Sequence, residues 1–133
     1  MAKETFINIL ERYGYSYSVE GDKIIMGGKD PINLPGVKRL PTNVVFQNNA
    51  SVQLGDVEYI PEGTVFKNDG IVYLPSLKKI HPSVILDNNE SIYLGFLAGR
   101  WLDLWDGNIV GIDSKRLLNS MINKGVFYDN KGV

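Results

Sequence analysis

Ile60-Pro61-Glu62-Gly63-Thr64-Val65-Phe66-Lys67-Asn68-Asp69-Gly70-Ile71-Val72-Tyr73-Leu74 is the best-kept copy of a pattern that the chain repeats with a step of twenty residues. Phe66 has counterparts at Phe46 and Leu86, and Asn68 at Asn48 and Asn88. Val72 answers to Val52 and Ile92, and Leu74 to Leu54 and Leu94. Val37, Val57, Leu77 and Leu40, Ile60, Ile80 keep the same phase. One coil of this length cannot bury its apolar edge alone, whereas a stack of them buries a continuous core. A fixed period of twenty therefore predicts a mainly β solenoid.

Within the unit, Val52-Gln53-Leu54 alternates, so Val52 and Leu54 are expected inward and Gln53 outward on a short strand. Apolar residues then return at every third position, Leu54, Val57 and Ile60, a spacing that suits a polyproline-like or 3₁₀ turn. Pro41 and Pro61 stiffen the corner, and a Val-Phe pair opens the return limb. Asn48-Asn49, Asn68-Asp69-Gly70 and Asn88-Asn89 are turn signals.

The phase weakens toward both ends. Ile24, Ile25 and Met26 stand twenty before Val44, Val45 and Phe46, while Asp106 stands where the third position calls for Phe or Leu. Before the array, Phe6, Ile9, Leu10 and Tyr13 share a helix face, Gly14 is the expected stop, and Tyr15 to Met26 reads as a hairpin around Glu20-Gly21-Asp22. After it, Asp113 can cap a helix from Ser114 to Lys124 with Leu117, Leu118, Met121 and Ile122 inward. The expected organisation is a single repeat domain over 1–133: an N-terminal cap over 1–23, coils over 24–112 and a C-terminal helical cap over 113–133. Capped ends make physical sense, because open coil edges invite association.

Composition narrows the function classes. The 133 residues are 44% apolar and 22% charged, as in a folded domain, and carry a net charge of −1. A general nucleic-acid binder would be basic, so no nucleic acid and no membrane surface is expected as partner. The chain has no cysteine, which excludes disulfides and thiolate metal sites and fits a reducing, cytoplasmic setting. Met1-Ala2-Lys3-Glu4-Thr5 has no apolar core of a signal peptide, and no run approaches a membrane span. Asn49-Ala50-Ser51 and Asn89-Glu90-Ser91 match a glycosylation sequon but sit where the repeat needs turns.

The units resemble leucine-rich-repeat-like proteins, nearest the short BspA-like type. They are closer still to small proteins of tailed phages and prophages, with tandem Leu-x-x-Leu-Pro-x-x-Val-x-Phe-x-Asn-x-Gly-x-Val-x-Leu units. The segment from Gly107 through Asn119 is similar to the C-terminal segment of such proteins, and the resemblance spans roughly residues 24 to 127. It implies leucine-rich-repeat-like coils and an accessory binding protein with no catalytic residues. The phage character implies action in the host cell cytoplasm.

Each chemistry-bearing candidate has a structural reading beside it. The Asn48, Asn68, Asn88 column is expected to bond turn carbonyls of its own and the adjacent coil, and the Phe46, Phe66, Leu86 column to be core. His81 stands where two other units have proline, with no paired nucleophile implied. Gly27-Gly28-Lys29 lacks the phosphate-loop spacing, and Asp87-Asn88-Asn89-Glu90 lacks a calcium-loop pattern, so no cofactor or metal is expected. Trp101, Trp105, Asp103 and Asp106 read either as a cap or as a carbohydrate-binding or glycan-processing site. A virion structural component polymerising through its coil ends is a third reading.

One surface pattern points to a partner. Gln53, Tyr73 and Tyr93 should stack outward, one per coil, with Arg39, Tyr59 and Lys79 on the next face. Stacked Tyr with Arg and Lys is what protein-contact surfaces favour. The expectation is a non-catalytic protein-interaction scaffold binding a protein partner, a phage-derived accessory or anti-defence factor that modulates a host protein. Its partner, host and oligomeric state are not written in the chain.

Overall fold

The computed structural model describes residues 1–90, 92–94, 108–109, 119–120 and 122–123. Helix α1 (Lys3–Tyr13) precedes strands β1 (Ser18–Glu20), β2 (Lys23–Met26), β3 (Ile32–Asn33), β4 (Val44–Phe46), β5 (Val52–Gln53) and β6 (Tyr59–Ile60). There follow β7 (Val65–Phe66), β8 (Val72–Leu74), β9 (Lys79–Ile80), β10 (Ile85–Leu86), β11 (Ile92–Leu94) and β12 (Asn108–Ile109). The parallel rungs β2, β4, β7 and β10 form one sheet, and β3, β5, β8 and β11 a second. β6 and β9 form a third, which an Arg39–Tyr59 bridge extends. The chain is a β-solenoid of about four turns, with three strands to each complete turn.

Register explains why the period is so strict. Phe46 pairs Phe66, Val52 pairs Val72 and Ile60 pairs Ile80, so each parallel partner lies twenty residues away. A slip by one residue would turn every inward side chain outward. Val52, Leu54, Val57, Ile60 and Phe66 are all buried, and the same columns continue through the neighbouring coils. The Phe46 and Phe66 rings stack with centroids 5.1 Å apart and planes within 7°.

The 54–57–60 spacing resolves into a corner followed by a strand. Val57 N–H bonds Leu54 O at 3.2 Å, closing a turn. The chain then extends through Tyr59 and Ile60, because coils on either side offer backbone partners there. Coil stacking, which local spacing does not encode, adds the third sheet.

Close approach between coils fixes one glycine. A Cβ on Gly70 would lie 2.5 Å from the carbonyl carbon of Ala50 and 2.7 Å from Ser51 N, both backbone atoms of the preceding coil. Gly70→Ala must push these rungs apart, and a loss of about 1–3 kcal/mol is expected, the usual cost of overpacking. Thermal unfolding against the parent protein measures it, and an unchanged midpoint would refute the close packing.

Helix α1 closes the first coil by adding buried Phe6 and Leu10 to the core cluster that includes Ile24 and Met26. It stops at Gly14, whose left-handed φ of 78° lets its N–H reach back to the last turn. Ile9 is only half-buried and Tyr13 is half-exposed, its ring edge-on to Tyr15; Ile7 packs on the core alongside. Strands β1 and β2 pair antiparallel within 18–26, a shorter span than the expected 15–26, with Glu20 opposite Lys23 across Gly21-Asp22.

At the other end, residues 119–120 and 122–123 are helical, and Ile122 is buried in the core. Asn119 reads the last rung as a backbone would. Its Oδ1 accepts from Leu86 N–H at 2.8 Å and its Nδ2 donates to Leu86 O at 2.7 Å. The Asp113 cap and the remaining positions of the expected 114–124 helix lie outside the described residues. No helix among the described residues is long and apolar enough to cross a membrane.

Candidate interaction faces

The second sheet presents a column of polar and aromatic side chains. Gln53, Tyr73 and Tyr93 are in register, and alternation with buried Val52, Leu54, Val72, Leu74, Ile92 and Leu94 turns all three outward. Tyr73 is 40% exposed, and its ring lies 5.3 Å from that of Tyr93, tilted by 38°. On the third sheet Tyr59 is in register with Arg39 and Lys79. The Arg39 guanidinium sits 4.6 Å from the Tyr59 ring centroid, a cation–π contact worth about 0.5–1 kcal/mol at an exposed site. Beside it, Lys78 and Glu58 approach at 3.6 Å, an exposed pair that adds little.

The first sheet carries a column that the reading by repeats leaves aside. Ile25, Val45, Val65 and Ile85 lie in register on its outer side, from buried Val45 to Ile85 at 45% exposure. The signal was an apolar residue at the middle of each return strand, as in Val44-Val45-Phe46, where alternation calls for a polar one.

The asparagine column is internal. Asn48 Nδ2 donates to Asp30 O at 3.0 Å and to Ala50 and Ser51 O at 3.2 Å. Asn68 repeats the set on Ala50, Gly70 and Ile71, and Asn88 reaches Gly70 and Glu90. Each amide thus ties its own turn to the preceding coil. Among the described residues no donor meets the buried Oδ1 atoms of Asn48 and Asn68, so the donating half of the amide is what this position uses.

His81 does meet a hydroxyl. Ser83 N–H donates to His81 Nδ1 at 3.1 Å, which makes Nδ1 an acceptor for the Ser83 hydroxyl 2.9 Å away. Ser83 Oγ in turn accepts from Gly63 N–H at 3.0 Å. Held as donor and as acceptor, this hydroxyl fastens a corner to the coil before it. Tyr17 donates to Glu11 Oε2 at 3.0 Å, and that hydrogen bond to the carboxylate raises its phenol above the ordinary range.

Among the described residues no group of three His, Cys, Asp or Glu side chains is arranged to hold a metal ion. Trp101, Asp103, Trp105 and Asp106, the alternative glycan site, lie outside the described residues. Comparison with known proteins finds no matching family model, no matching curated protein and no matching solved structure.

Proposed function

We propose that this solenoid is a non-catalytic protein-interaction scaffold, and that it is a phage-derived accessory or anti-defence factor that binds and modulates a host protein in the cytoplasm. The observation that carries the interaction reading is the paired Tyr73 and Tyr93 rings, turned outward on hydrogen-bonded rungs. Rings already aligned by the backbone lose little freedom on contact, and exposed tyrosines offer area and a hydrogen bond together. The leucine-rich-repeat-like and phage parts of the proposal rest on the resemblance of residues 24 to 127.

Affinity capture from a bacterial lysate, followed by mass spectrometry, identifies the partner. The Tyr73→Ala, Tyr93→Ala double variant is then expected to bind it at least about tenfold more weakly, as loss of an interface anchor does. Both side chains leave the core untouched, so the variant remains folded. Unchanged affinity would reject this face.

A further inference from the structure

Backbone groups at a sheet edge are a template for another chain unless something covers them. In the first two sheets each terminal parallel rung, β2, β10, β3 and β11, is met by another part of the chain. β1 pairs along β2 and Asn119 closes Leu86, while β12 pairs along β11. At the start of the second sheet a single hydroxyl suffices: Tyr15 OH donates to Asn33 O at 2.8 Å and accepts Asn33 N–H at 2.9 Å.

The third sheet begins differently. Arg39 is its first rung, through the bridge to Tyr59. Lys79 N–H points back to Glu58 O in the preceding coil at 3.2 Å, so the equivalent N–H of Arg39 points away from the array. Among the described residues no hydrogen bond reaches the N–H or C=O of Arg39, the counterparts of the Asn33 groups that Tyr15 satisfies. A groove of about 540 Å³ opens beside this rung and runs across the next coils, from Met1, Lys3 and Arg39 past Tyr59 and Pro61 to His81. Met1 and Lys3 of the N-terminal segment thus line the groove at its Arg39 end.

Charge specifies the occupant. Among the described residues Lys3 and Arg39 line the groove with one carboxylate, Glu62, while Lys38, Lys79 and the paired Lys78 and Glu58 flank the same rungs. Cations outnumber carboxylates on this face of a chain that is at −1 as a whole. Pro41 has no N–H, so the edge can donate only over a short stretch.

We infer that the Arg39 edge takes a short, extended acidic segment of a partner protein as an added strand. This deepens the interaction reading above and rests on it. Main-chain bonds to Arg39 hold the segment, and its carboxylates face the surrounding cations.

Short peptides alternating Val with Glu, or Val with Lys, titrated into the ¹⁵N-labelled full chain test it. The acidic peptide is expected to shift the Arg39 and Leu40 amides, to saturate near or below about 1 mM, and to bind at least about tenfold more tightly than the basic one. Arg39 N–H gains protection from hydrogen exchange, Arg39→Glu and Lys38→Glu each weaken binding, and alternate N-methylation of the peptide abolishes it. No shift at Arg39 up to that concentration, equal binding of the basic peptide, or full binding of both N-methylated forms would each overturn the inference. Such a result leaves the tyrosine-face capture experiment standing, since that experiment reads a different sheet.

Discussion

Phe66→Ala is expected to lose about 3–5 kcal/mol of folding stability, because it removes a fully buried ring from the middle of a stack. Phe46 lies against one face at 5.1 Å, and Leu86 occupies the matching position of the next rung. Neither neighbour can collapse into the gap, since each is tied to its own rung by backbone bonds. Phe66→Leu is the control: a Leu already serves this position at Leu86, and the expected cost is under about 1.5 kcal/mol. Urea unfolding of the two variants separates the cases, and a small loss for Phe66→Ala would show that the column is not tightly packed.

Asn68→Asp, a change of one heavy atom, is expected to cost about 3–5 kcal/mol at neutral pH, the scale of a buried charge without compensation. The side chain faces the carbonyl oxygens of Ala50, Gly70 and Ile71, all acceptors. A carboxylate there meets three like partial charges and loses its hydration. Both effects raise the pKa of the introduced carboxyl in the folded state above its unfolded value. The penalty is therefore present above the folded pKa and fades as pH falls toward the unfolded one, where the neutral acid can donate again. Asn68→Ala, which loses the donor without adding charge, lacks this pH dependence. Unfolding curves at several pH values distinguish the two variants. A pH-independent deficit for Asn68→Asp would mean that donation to the turn carbonyls is not what the position requires.

The inward columns were legible because each is written several times over. Leu54, Leu74 and Leu94, or Asn48, Asn68 and Asn88, identify their role by recurrence, and the register realises the twenty-residue step directly. The positions of Gln53, Tyr73 and Tyr93 followed from alternation alone. What recurrence could not convey was anything that happens once. Tyr15 closing Asn33 and Asn119 closing Leu86 are singular contacts between segments far apart in the chain. The open Arg39 edge was hidden for the same reason, since it depends on where α1 and the hairpin leave off. Tyr59-Ile60 as a strand was hidden too, because the third sheet is a product of stacking.

Pairing at a constant separation has a kinetic consequence. Each rung asks the chain to close a loop of the same modest length before it is rewarded, so no single step carries a large entropic barrier. Ordering can begin wherever two adjacent coils first meet and spread from there in both directions, like a zipper rather than a collapse. During synthesis the earliest coils can be assembled onto α1 before the later ones have left the ribosome.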